Sequence, residues 1–174
     1  MSDLVDIPLS PRLQDKGFTA LPMAMEADEE GYVAIGREVA AHNGDDFNRH
    51  DYVRWLEDGR KKNALSGIEL RDEKGDLAGL VVYSINPVSK SGVIDMIWSG
   101  SRRQGLGAEL MQQAFRDLAA EGITEVSLWV GSKNHTAQRM YEKTGWSQTE
   151  MSATHLQYER PLSTVSKMNR EPHA

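Results

Sequence analysis

The stretch Asp95-Met96-Ile97-Trp98-Ser99-Gly100-Ser101-Arg102-Arg103-Gln104-Gly105-Leu106-Gly107-Ala108 joins an apolar strand-like run to a long amphipathic segment. Gly105 and Gly107 leave bare backbone N–H groups at the helix start, where the helix dipole favours an anion such as a pyrophosphate. Arg102 and Arg103 add positive charge beside them. A dinucleotide fingerprint would place a third glycine where Leu110 stands, and a P-loop would need Gly-Lys-Ser/Thr, so neither common nucleotide motif is present. On spacing alone the segment is an anion-binding turn or a plain turn.

Working outward, Leu106, Leu110, Met111, Ala114, Phe115 and Leu118 form one helical stripe that Gly122 ends. Val126, Leu128 and Val130 then alternate as a strand, which a right-handed crossover sets parallel to the strand before the glycine loop. Asn134 caps a shorter helix that Gly145 closes. Trp146 to Glu150 and Thr154 to Arg160 read as a final strand pair.

Upstream, Leu65 to Arg71 and Leu77 to Ile85 form a hairpin around Asp72-Glu73-Lys74-Gly75-Asp76, and Val93 to Trp98 extends it into an antiparallel meander. Alternation puts Leu77, Val81, Tyr83 and Ile85 on one face and Ala78, Leu80 and Val82 on the other, so this strand is interior. Phe18 to Met25 reads as a first strand. Tyr32, Ile35, Gly36, Val39 and Ala40 mark a helix ended by Asn43-Gly44, and Tyr52, Trp55 and Leu56 mark another, capped at Asn48 or Asp51. Residues 1–16, with Pro8 and Pro11 and few apolar side chains, read as an N-terminal arm; residues 17–162 as one domain; residues 163–174 as a polar tail.

A chain of 174 residues suits one domain of about 100 to 200 residues. It has no cysteine, which excludes disulfides, thiolate zinc sites and thiol nucleophiles. The five histidines show no ligand spacing, so no metal is expected. A net charge of −6 disfavours nucleic acid and favours a cationic partner. With no apolar run of membrane length and no basic leader, a cytoplasmic protein with no membrane partner is expected.

Arg102-Arg103-Gln104-Gly105-Leu106-Gly107 resembles the Gln/Arg-x-x-Gly-x-Gly/Ala signature of the GNAT superfamily of N-acetyltransferases. Asn134, Ala137, Tyr141 and Gly145 resemble that family's second signature, with Trp146 where it has Phe. The resemblance implies an α/β fold, a mixed and mostly antiparallel central sheet flanked by helices, with splayed strands forming an acetyl-CoA cleft. It also implies an enzyme that moves acetyl from acetyl-CoA directly to a primary amine. Backbone N–H groups from Gln104 to Ala108 would hold the pyrophosphate, with Arg102, Arg103, Gly105, Leu106 and Gly107 forming the loop. Ile97, Trp98 and Ser99, or the register one residue later, would face the acetyl group and pantetheine arm, and Asn134 and Ala137 would flank the cofactor.

Tyr141 takes the position of the family's general acid; a phenol with a pKa near 10 stays protonated at neutral pH. On periodicity alone it is a core aromatic. An alkylammonium is only about one part in a thousand neutral at pH 7, so a base is needed. Asp95, two residues from Ile97 and hence on its strand face, is the candidate, with Glu69 or a water chain as other routes and a structural salt bridge as the alternative. Trp129 stands where the ribosomal-protein branch of the family has its Glu, which counts against peptide acceptors. His155 reads as an exposed polar residue with reach to the acceptor pocket, and Met23, Met25 and Met96 as core filler that can line a pliable pocket.

The expected partner is a small cationic amine, drawn either by Glu26, Asp28, Glu29 and Glu30 with Asp45-Asp46, or with those first four serving only the helix dipole. A protein, peptide or aminoacyl-tRNA acetyltransferase and a non-catalytic acyl-CoA sensor are the alternatives, and a homodimer is left open.

Overall fold

A computed structural model describes residues 7–100 and 105–162. Arg102, Arg103, Gln104 and the tail 163–174 therefore lie outside the described residues. The elements in order are α1 (Pro11–Asp15), β1 (Thr19–Pro22), a 3₁₀ turn (Met25–Ala27), α2 (Glu29–Asn43), α3 (Arg49–Lys61), β2 (Ser66–Arg71), β3 (Leu77–Ile85), β4 (Gly92–Ser99), α4 (Leu106–Ala120), β5 (Glu125–Gly131), α5 (His135–Lys143), β6 (Ser147–Met151) and β7 (His155–Pro161). The strands form one seven-stranded sheet in the order β1-β2-β3-β4-β5-β7-β6, antiparallel except for the parallel β4–β5 pair.

Each face of the sheet buries its own core. Leu106, Leu110, Ala114, Phe115 and Leu118 of α4 pack with Val81, Ile94, Val126 and Leu128 on one face, together with Tyr141 of α5. Tyr32 and Ile35 of α2 and Leu56 of α3 pack with Leu80, Val82 and Met96 on the other. The capping chemistry follows the sequence: Asp28 accepts from the Gly31 N–H, Asn48 from Asp51 and Asn134 from Ala137, while Gly44 ends α2 in the left-handed region.

Two bulges alter the faces that alternation alone predicts. In β3, Leu70 pairs with Gly79 and Arg71 with Leu77, which leaves Ala78 as the extra residue. Ala78 accordingly packs on the α4 side with Val81, and Leu77 joins the α2–α3 side, the reverse of the expected assignment. In β4, Val82 pairs with Met96 and Tyr83 with Ile94, so Asp95 is the extra residue. Ile94 then faces α4 while Met96 faces α2 and α3, although they are two positions apart.

The lead-in to β1 differs from the expected arm. Leu9 and Leu13 are buried against the α4-side core, Ile7 bridges Ala20, and the Gln113 side chain donates to the Pro8 carbonyl at 2.6 Å. Pro11 opens a single helical turn behind Ser10, and Leu9 just before it and Leu13 within it both enter the α4-side core. Leu13 has no exposed surface. Leu13→Ala is expected to cost about 2–5 kcal/mol in urea unfolding, against about ±0.5 kcal/mol at a position outside the fold.

Candidate active site

The bulge at Asp95 shapes the centre of the molecule. β4 and β5 pair only at Gly92–Val126 and Val93–Ser127; beyond those pairs the ladder stops and the strands diverge. A bulge strengthens local twist, which carries the rest of β4 away from β5. The resulting cleft, about 520 Å³, is lined by Ile97, Trp98 and Ser99 of β4, Gly105 to Ala108 opening α4, Leu128 and Val130 of β5, and Asn134, Ala137 and Tyr141 of α5. The described candidate residues thus converge on one cavity.

At one end of it, Gly105 is the N-cap of α4 with φ of 73°, a conformation that favours glycine. Among the described residues a Cβ built on Gly107 would meet nothing nearer than Ser99 Oγ at 3.8 Å. α1 also reaches this point: Arg12 Nη2 lies 2.6 Å from where a Gly105 Cβ would be, a cation that sequence reasoning had set outside the domain. The loop can therefore receive an anion on bare N–H groups at a helix N-terminus, which fits a pyrophosphate.

Tyr141 projects from α5 with 6% of its surface exposed, its ring against Trp146 and Tyr158 at 5.7 and 5.9 Å. Burial pushes its hydroxyl up to about 12. Among the described residues no fully buried side-chain polar atom lacks a hydrogen bond and none partners the Tyr141 hydroxyl, so that hydroxyl keeps access to the cleft it lines.

A second cleft, about 490 Å³, opens between α2, α3 and the sheet. Its walls carry the carboxylates Asp45, Asp46 and Asp51, the rings of Phe47, Tyr52 and Trp55, and His155. Val39, Asn43, Asp95, Met96 and Trp129 line both clefts and mark where they meet.

Asp95 is at that junction, but not on the face expected. Ile97 packs against the α4-side core, whereas Asp95 lines the α2–α3 cleft, because the bulge breaks the two-residue period between them. Its carboxylate is open to the cleft and accepts from the Ser84 hydroxyl at 2.7 Å. The surrounding walls raise its pKa by desolvation, which the Ser84 hydrogen bond partly offsets.

Other candidates separate cleanly. Glu69 is buried, accepts from the Tyr32 hydroxyl and pairs with Arg71 Nε at 2.5 Å; it lines neither cleft and is removed as a base. Glu29 and Glu30 pair with Arg49 at 2.9 and 2.5 Å, Asp28 caps α2 and pairs with Arg71 at 3.0 Å, and Glu26 pairs with Arg60. Asp28, Glu29 and Glu30 tie α2 to β2 and α3, Glu26 ties the 3₁₀ turn to α3, and none of the four lines either of these clefts, which fits helix and ion-pair chemistry. His155 lines the second cleft, with Nε2 at 2.9 Å from Asp45 and Nδ1 at 2.8 Å from Thr154 Oγ1. Met23 and Met25 are core; Met96 lines both clefts.

Asn134 does more than cap. Its Oδ1 accepts from Ala137 at 3.3 Å, and its Nδ2 donates to Asn43 Oδ1 at 3.0 Å. Asn43 was legible only as a helix end, and Phe47 carried no periodic signal. The partial exposure of Val39 and Ala40 on the apolar stripe of α2 is explained by the second cleft, which both line. Among the described residues no three His, Asp or Glu side chains gather as a metal site, and no helix is long and apolar enough to cross a membrane.

The described residues thus form a mixed sheet with splayed central strands, a glycine-opened helix at the split and Tyr141 in the lining of the gap. The chain belongs to the acetyltransferase (GNAT) family, whose model matches residues 26–146. Its fold is similar to that of a GNAT-family acetyltransferase from Staphylococcus aureus Mu50, with a TM-score of 0.71 at 13% identity over 84% of this chain and 99% of that one. It is also similar to the PaiA N-acetyltransferase from Thermoplasma acidophilum in complex with coenzyme A, with a TM-score of 0.65 at 14% identity over 83% and 99%. A nourseothricin acetyltransferase matches with a TM-score of 0.53 at 22% identity over 58% and 67%. No curated protein matches the chain by sequence.

Proposed function

We propose that the protein transfers acetyl from acetyl-CoA directly to the primary amine of a small cationic molecule. The observation that carries this reading is the meeting of two chemically distinct clefts at Asp95: one with an anion-receptive loop and Tyr141, the other with unlike walls of carboxylates and aromatic rings. Carboxylates attract an ammonium, and ring faces of Phe47, Tyr52, Trp55 and Trp129 can add cation–π contact and apolar packing.

Gly105 to Ala108 would hold the pyrophosphate, and the unpaired edge of β4 at Ile97 to Ser99 would receive the pantetheine arm. Bound acetyl-CoA supplies the activated acetyl group. Asp95 takes a proton from the incoming ammonium, and its raised pKa makes it a stronger base than an ordinary carboxylate. The amine nitrogen bonds to the acetyl carbon as the carbon–sulfur bond breaks. Tyr141 gives its proton to the leaving sulfur, the second proton on the new amide nitrogen restores the Tyr141 hydroxyl, and Asp95 releases its proton to solvent, leaving a neutral amide and a free thiol.

The test is a panel of amines of different charge, followed by acetyl-CoA-dependent thiol release across a salt series. For the best acceptor, kcat/KM should fall as ionic strength rises, because charges more than about 8 to 10 Å apart are screened at 0.1–0.15 M salt. Asp45→Asn with Asp46→Asn should flatten the slope. A neutral best acceptor, or a flat profile in the unmodified protein, would remove the cationic-substrate reading.

A further inference from the structure

The last residue of α2 holds the acceptor wall and the acid-bearing helix together through one side chain. Asn43 Oδ1 accepts from the Gly131 N–H at 3.0 Å and from Asn134 Nδ2 at 3.0 Å. Contact with β5 is so close that a Cβ on Gly131 would lie 2.1 Å from the Asn43 carbonyl oxygen, which only glycine permits. Asn134 passes the link on by capping α5, and Gln138 fastens the same helix to the Gly131 and Ser132 carbonyls at 2.9 and 3.0 Å. Tyr141 follows about two turns along α5 from that cap. Its ring packs against Trp146 and Tyr158, and the anchored N-terminus of α5 adds a further constraint on where the hydroxyl comes to lie.

We infer that Asn43 is a positioning residue: its carboxamide oxygen fixes α5, and therefore the Tyr141 hydroxyl, relative to the wall from which the amine arrives. Asn43 lines both clefts, so it is the side chain through which a displacement of α2 reaches α5. The inference rests on the reading of Tyr141 as the acid. Transfer requires the nucleophile from the α2 side and the proton from the α5 side to meet on one acetyl group, and misplacement by about 1 Å can lower rate about a hundredfold.

Asn43→Ala removes the acceptor for both donors; Asn43→Asp keeps an oxygen for each. With the best amine and saturating acetyl-CoA, Asn43→Ala should lower kcat about tenfold or more while KM for acetyl-CoA stays within about twofold, and Asn43→Asp should restore most of kcat. In the Tyr141→Phe background, Asn43→Ala should have little further effect, because the residue acts through that hydroxyl. If Asn43→Ala does not fold, Asn134→Asp serves: it keeps the α5 cap but has no proton for Asn43 Oδ1, and it should lower kcat in the same non-additive way. Unchanged kcat, failure of Asn43→Asp to recover it, or full additivity with Tyr141→Phe overturns the proposal. A fully active Tyr141→Phe single variant instead overturns the acid assignment, and this inference falls with it.

Discussion

Tyr141→Phe is expected to lower kcat about 10²–10⁴-fold, the usual range for loss of a positioned proton donor, while acetyl-CoA affinity stays within about threefold. The variant removes one oxygen and leaves the ring that packs on Trp146 and Tyr158, and that oxygen forms no hydrogen bond with any described residue. Stability should therefore not fall, which separates catalysis from packing. The pH profile gives a second reading. A hydroxyl pushed up to about 12 remains a donor throughout the neutral and mildly alkaline range, so the unmodified enzyme should show no alkaline loss of kcat from this group below about pH 11. Thiol release under single-turnover conditions measures the effect at the chemical step. Equal single-turnover rates for the variant and the unmodified protein would show that Tyr141 is a core aromatic and nothing more.

Gly107→Glu is expected to weaken acetyl-CoA binding more than about a hundredfold while leaving the fold intact or slightly more stable. Among the described residues Ser99 Oγ at 3.8 Å is the nearest atom to a new Cβ on Gly107, so none of them obstructs the substitution. A carboxylate in the first turn of α4 also interacts favourably with the helix dipole, by about 0.3–1 kcal/mol, and removal of a helical glycine contributes in the same direction. The same side chain would fill the approach to the N–H groups and place negative charge where a pyrophosphate should lie. Calorimetry with acetyl-CoA and thermal unfolding of the same preparation decide the matter. A folded variant that binds acetyl-CoA as tightly as the unmodified protein would move the cofactor away from this loop.

Much of this architecture is local in origin and was legible in residue order. The apolar stripe from Leu106 to Leu118, the caps at Asn48 and Asn134 and the stop at Gly44 each depend on contacts within a turn or two. The meander of β2, β3 and β4 also follows from short connections, since neighbouring strands with a tight loop between them pair antiparallel. The glycine loop and the Asn134–Tyr141 spacing located one side of the cleft, because those residues share a short span of chain.

What required the tertiary structure was every feature set by distant partners. β7 inserts between β5 and β6, an order that no local pattern states. The bulges at Ala78 and Asp95 arise from register between strands, and a single extra residue sends Asp95 to the α2–α3 side. Glu26, Glu29 and Glu30 read in the sequence either as a steering cluster or as partners of the helix dipole, and only the fold brings Arg49 and Arg60 of α3 beside them, because a carboxylate's surroundings depend on which cations lie near. Leu9 and Leu13 are too few to suggest a fold by themselves, yet α4 and β1 offer them an apolar surface. The sequence by itself thus determined the long helices, the hairpins and the glycine turn that opens α4, through short-range sterics and hydrogen bonding. Only the folded chain decided which carboxylates line the second cleft and which side chain joins α2 to β5 and α5, because both depend on contacts between residues far apart in the chain.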